Sequence, residues 1–232
     1  MRAAVLTGIG HLTLQERPLP EIGDDEALIR VSYVGVCGSD MALFENGYIG
    51  ESTVREPMVL GHEASGVVVQ VGDGVTALRP GMRVALEPGV PCLACDFCRE
   101  GRYNLCPDVY FWASLPVTEG ALQEYVRHRA SFCHPLPDDV DLLEGAMIEP
   151  LSVRRDQIIG ARQAGGNRPE TVAIVSCLPT HRLPSARAQV VHIADQFGPH
   201  RNSSFRSCRR RWRAHVRGIV DQRRVQIGRA HV

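Results

Sequence analysis

The sequence predicts a mainly β domain over residues 1–153, followed by a remainder of different character over 154–232 with fragments of α/β pattern. Three observations carry this. Short β-branched and apolar runs recur between Gly and Pro punctuation through the first part, the pattern of many short strands. Four cysteines, Cys92, Cys95, Cys98 and Cys106, fall within fifteen residues and mark a separate loop-rich lobe. The charge also changes sign. Residues 1–153 hold 10 Arg against 22 Asp and Glu, a net of −12, whereas residues 154–232 hold 16 Arg against 4 acids, a net of +12. The formal net charge of zero hides this division, and no lysine occurs anywhere.

Residues 2–7 and 11–16 read as strands joined at Gly8-Ile9-Gly10 and closed by Pro18 and Pro20. Residues 27–36, β-branched and partly alternating, read as a strand that delivers Cys37 at its end. Residues 41–57 read as a short helix and a loop. Val67–Val71 reads as a strand ended by Gly72-Asp73-Gly74, and Arg83–Glu87 as another, entered through Pro80-Gly81. The acids at Glu21, Asp24, Asp25 and Glu26, and at Asp138, Asp139 and Asp141, read as solvated loop and helix-start residues.

Bulk properties narrow the class. No apolar run approaches the ~18 residues of a membrane span. The start, Met1-Arg2-Ala3-Ala4-Val5-Leu6, is too short and too soon polar for a signal peptide. The expectation is a cytoplasmic protein with no membrane association. In a reducing compartment, eight cysteines point to metal binding before disulfides.

Two metal signatures stand out. Cys37-Gly38-Ser39-Asp40 and Gly61-His62-Glu63-Ala64-Ser65-Gly66 bring together a thiolate, an imidazole and a carboxylate. These are ligand types that zinc accepts, and three protein ligands with one position left open is the catalytic arrangement. Ser39 offers a hydroxyl two residues from Cys37. Taken singly, Cys37 reads as a small buried hydrophobe and His62 as a satisfied histidine; together, with flanking glycines, they read as ligands. The second signature is C-x2-C-x2-C-x7-C over Cys92, Cys95, Cys98 and Cys106. Four thiolates close a tetrahedral shell, which is a structural zinc site; four packed small residues and an iron–sulfur cluster are the alternatives. His128, Cys133 and His134 lack such company and read as structural.

These motifs, with Tyr103-Asn104-Leu105-Cys106 and Glu149-Pro150-Leu151-Ser152-Val153, resemble the zinc-dependent medium-chain alcohol dehydrogenases, and within them the polyol branch of sorbitol and xylitol dehydrogenases. The resemblance spans residues 1–153. It implies a GroES-like catalytic domain in which Cys37, His62 and Glu63 hold a catalytic zinc, with Glu149 binding it directly or through water. It also implies that Cys92, Cys95, Cys98 and Cys106 hold a structural zinc and that Ser39 relays the alcohol proton. The implied reaction is oxidation of a polyol or secondary alcohol to a ketone, with hydride passing to NAD(P), in a homo-oligomer. One departure is Met41-Ala42-Leu43-Phe44, where the polyol branch often places aromatic or histidine residues near the substrate.

After Val153 the resemblance implies a Rossmann dinucleotide-binding domain, of which residues 154–195 read as an incomplete remnant. Thr171–Val175 fits its first strand, but Ser176-Cys177-Leu178-Pro179-Thr180-His181 contains none of the glycines of a G-x-G-x-x-G phosphate turn. Ala188–Asp195 fits its second strand, with Asp195 the candidate ribose-binding acid. Residues 196–232 form an Arg-rich tail too poor in periodic apolar positions to build a core. Such a pattern is expected where a GC-rich gene is read out of frame. The chain as written is therefore expected to be truncated relative to its family and inactive. A non-catalytic zinc-binding module and an arginine-rich nucleic-acid binder are the alternative functions.

Overall fold

The computed structural model describes residues 1–153 and the strand Gln189–Val191. In chain order the strands are β1 (Arg2–Gly8), β2 (His11–Glu16), β3 (Glu26–Gly35), β4 (Tyr48–Ile49), β5 (Ser52–Thr53), β6 (Met58–Val59), β7 (Glu63–Val71), β8 (Arg83–Leu86), β9 (Gly89–Val90), β10 (Tyr110–Phe111), β11 (Tyr125–Arg129), β12 (Cys133–Pro135) and β13 (Gln189–Val191). The helices are α1 (Gly38–Asn46), α2 (Asp96–Arg99) and α3 (Leu142–Ala146), and residues 148–153 are also helical.

The central sheet runs β11-β3-β7-β8-β12, with each neighbouring pair antiparallel. A smaller sheet, β2-β1-β6, lies beside it. A strap at residues 120–124 ties the two together. The Ala4 amide of β1 donates to the Leu122 carbonyl at 2.8 Å, and the Val31 amide of β3 donates to the Glu124 carbonyl at 3.0 Å. Arg2 and Glu124 add a paired contact at 2.7 Å. The core fills the space between, with Val5, Leu6, Ile29, Leu43, Met58, Leu60, Val68 and Val84 fully enclosed.

The mainly β character is as expected, but several boundaries move. Helix α1 begins at Gly38, three residues before the expected start, because Cys37 is its N-cap and Asp40 completes its first turn. Strand β7 begins at Glu63, four residues before the apolar run. Ala64, Ser65 and Gly66 are weak strand formers, yet pairing with the end of β3 extends the strand through them. Strands β11 and β12 gave no sequence signal. In β11 one of the two buried positions is His128, so its alternation does not register as apolar. The acids at 138–141 behave as expected: Asp141 accepts from the Glu144 amide at 2.8 Å and caps α3.

Gln189–Val191, read from sequence within a second-domain strand, pairs in parallel with Tyr33–Gly35 of β3. Asp195 and the Arg-rich tail lie outside the described residues. Among the described residues, no helix is long and apolar enough to cross a membrane.

His128 and Cys133 are buried, whereas His134 is exposed. The His128 ring lies 4.5 Å from that of Trp112, and its Nε2–H donates to the Glu87 carbonyl at 2.7 Å. His134 donates to the Glu87 carboxylate at 2.9 Å. Burial pushes the His128 pKa down to about 4. The folded protein thus holds this ring neutral where the unfolded chain protonates it, so stability falls as pH drops from about 6.5 toward about 4. The full loss is about 3 kcal/mol. His128→Gln keeps a donor for Glu87 and removes this component. Denaturant titrations of both proteins at about pH 7.5 and about pH 4.5 should show a smaller pH-dependent loss for the variant; equal losses would refute the assignment.

Candidate metal centres

Two strand ends build the first centre. β3 ends at Gly35 and hands the chain through Val36 to Cys37; β7 starts at Glu63, with His62 just before it. Gly35 and Glu63 are register partners across this antiparallel pair. Two irregularities precede that point on β3, one placing Ser32 between the pairs Val31↔Gly66 and Tyr33↔Ser65. Extra residues of this kind re-aim side chains at strand ends.

Asp40 locks the two ends together. Its carboxylate is 1% exposed and accepts from the Cys37 amide at 3.0 Å and the Gly61 amide at 2.9 Å. Its Oδ1 also stands 3.7 Å from His62 Nδ1. The Gly61 carbonyl in turn accepts from the Ala121 amide at 2.7 Å, so the residue before His62 is held from both sides. Gly61 has φ 92, a conformation that side chains avoid, and a Cβ there would lie 2.7 Å from Val34.

One ligand atom from each of Cys37, His62 and Glu63 lies within 4.8 Å of the other two. His62 and Glu63 are buried, and His62 Nδ1 and Glu63 Oε2 have no hydrogen-bond partner. Buried polar atoms without partners are costly, and a cation set among these side chains would satisfy them. Electrostatics agree. Burial disfavours a charged His62, but Asp40, Cys37 and Glu149 outweigh it and push the pKa up to about 10. Burial, reinforced by Glu149 and Asp40, raises Glu63 to about 7 against the pull of His62. A site that draws protons so strongly has a deficit of positive charge, which a divalent ion corrects.

Glu149 stands outside the three-residue cluster but close enough for its charge to act on His62 and Glu63. Its own pKa is raised by burial. It rides on the helical residues after α3, and α3 is tied to β7 through a hydrogen bond from the Ser65 hydroxyl to the Leu142 carbonyl. Ser39 is half-buried at the second residue of α1. The Phe111 ring lies 5.5 Å from that of His62 and supplies an apolar wall.

The second centre comprises Cys92, Cys95, Cys98 and Cys106, whose sulfurs all lie within 4.8 Å of one another. The Ala94 and Cys95 amides point at the Cys92 sulfur at 3.4 and 3.3 Å, and the Cys92 amide at the Cys106 sulfur at 3.4 Å. Leu93, at φ 58, turns the backbone so that this is possible. These amides bring the Cys92 pKa down to about 7, favouring the thiolate that a metal needs. α2 and the turn Tyr103–Leu105 bury no residue, so the lobe has almost no apolar core of its own.

Every member of both clusters is marked by a motif in the sequence. The role of Asp40 is not, although a Cys-x-x-Asp capping pattern opens α1.

Comparison with known proteins agrees with this geometry. The alcohol dehydrogenase GroES-like domain profile matches residues 23–138. Sorbitol dehydrogenase of Gallus gallus is 54% identical over 151 residues, covering 65% of this chain and 42% of the relative. Sorbitol dehydrogenase of Bos taurus is 44% identical over 198 residues, covering 82% and 54% respectively. The crystal structure of galactitol-1-phosphate dehydrogenase from Escherichia coli superposes with a TM-score of 0.62 at 33% identity, over 72% of this chain and 46% of that one. The chain belongs to the zinc-dependent medium-chain alcohol dehydrogenase family, in its polyol branch, and spans about half the length of these relatives.

Asp40→Ala should cost about 3 kcal/mol, since it strands two backbone amides that now bond to a charged group. Asp138→Ala, at an exposed carboxylate, should stay within about 0.5 kcal/mol. Denaturation midpoints of the two variants check the contrast, and equal effects would remove Asp40 from its bridging role.

Proposed function

We propose that this chain carries the zinc-bearing alcohol-binding half of a polyol or secondary-alcohol dehydrogenase. The observation that carries the reading is the convergence of Cys37, His62 and Glu63, with unpartnered His62 and Glu63 atoms, at the paired ends of β3 and β7. When bound, zinc would supply Lewis acidity that lowers the pKa of an alcohol hydroxyl toward neutrality. Cys37, His62 and Glu63 hold the metal. Glu149 stands beside them as a further acid, binding directly or through water. Ser39 takes the alcohol proton toward solvent, and Phe111 keeps one side of the site apolar. Cys92, Cys95, Cys98 and Cys106 hold a second zinc whose role is structural.

NAD(P) is the hydride acceptor proposed for the intact protein. The residues here do not fit it: among the described residues there is no glycine-rich phosphate turn, and Ser176–His181 in the sequence has no glycine. No hydride step is assigned to this chain, and it is expected to reduce no nicotinamide by itself.

Purified chain should contain two zinc ions. With Co2+ in their place, sorbitol or xylitol should shift the visible bands of the three-residue site and leave the thiolate bands of the cysteine site unchanged. The absence of a shift with any alcohol would sink the reading. Cys98→Ser should remove one zinc and leave the other. Because the lobe has so little core, chelation should speed hydrogen exchange in residues 92–106 while β3 and β7 stay protected. Uniform protection before and after chelation would show that the lobe does not depend on metal.

A further inference from the structure

We propose that Gly35 is a positioning residue for the metal centre, acting through Glu63. The backbone at Gly35 does not ask for glycine, since its φ lies outside the region that side chains avoid. Space does. A Cβ built on Gly35 would lie 2.0 Å from Glu63 Oε2, 2.8 Å from Glu63 Cβ and 3.1 Å from Glu63 Cδ.

Residues directly opposite in an antiparallel pair normally stand side by side on one face. Here the Glu63 side chain folds across the strand into the volume that its partner's side chain would fill. Glu63 is 1% exposed, so a displaced carboxylate has no route to water. Its Oε2 also has no hydrogen-bond partner to hold it. The missing side chain of Gly35 is therefore what places the carboxylate beside Cys37 and His62, and a methyl group there would push it off the metal position.

This inference rests on the zinc reading above, and metal binding tests the two separately. Wild-type chain should bind Co2+ at both centres. A wild-type chain that binds it only at the cysteine lobe would overturn the zinc reading and this proposal with it. Gly35→Ala should weaken binding at the Cys37–His62–Glu63 site by about tenfold to a hundredfold, the usual effect of disturbing the support of a ligand. Binding at the cysteine lobe should be unchanged. The Co2+ bands of the first site should also move, which a loss of general stability would not produce. In a Glu63→Gly background, Gly35→Ala should cost no further affinity. Unchanged affinity in the single variant, or an equal loss in both backgrounds, would overturn the proposal. If Gly35→Ala does not fold, the double variant Gly35→Ala/Glu63→Gly should fold, because the clash is gone; failure of both would place Gly35 in the core and not in the site.

Discussion

Two backbone amides converge on one buried carboxylate, and the rest of the first centre depends on that convergence. Asp40 takes the Cys37 amide from the end of β3 and the Gly61 amide from the approach to β7. An ionised group inside a protein is tolerated only where donors surround it. The two donors are the amides whose positions fix Cys37 and His62. A structural requirement, satisfying Asp40, thus sets the distance between candidate ligands. The strap at residues 120–124 extends the constraint by holding the Gly61 carbonyl, so the site is fastened to both sheets.

The groups that meet here would repel one another without a cation. Asp40, Glu63, Glu149 and the Cys37 sulfur surround a single imidazole, and all four residues are buried or half-buried. Burial, reinforced by the neighbouring acids, raises the Glu63 and Glu149 pKa values, and those acids together with the Cys37 sulfur outweigh burial to hold His62 charged. The second centre solves the same problem differently. Cys92 is exposed, Cys95 and Cys98 are half-buried and Cys106 is buried, and backbone amides point at the Cys92 and Cys106 sulfurs. One cluster is built at the paired ends of two strands; the other is gathered by a loop.

Much of this was legible in the residues. Cysteine spacing revealed the second centre because closely spaced ligands on one loop keep their geometry in the sequence itself. The first centre was legible through glycine-flanked motifs, but its assembly was not, since β3 and β7 meet only through register. The early start of β7 was hidden because Ala64, Ser65 and Gly66 carry no β propensity, and β11 because His128 occupies an inward position. Asp40 looked like an ordinary helix-start acid; only tertiary contact with Gly61 shows that it spans two segments. The contact between Gly35 and Glu63 was likewise invisible, because a glycine at a strand end has many uses and sequence does not say which side chain leans over it.

The pairing of Gly35 with Glu63 also bears on how the chain finds its fold. A slip of one residue between β3 and β7 would turn Glu63 to the opposite face of the sheet and carry it away from Cys37. A mispaired chain would then have no place for the ion. An ion held by Cys37, His62 and Glu63 would reward only the native alignment and so act as a proofreader of strand pairing, favouring the correct register over neighbouring ones by the free energy of its own capture.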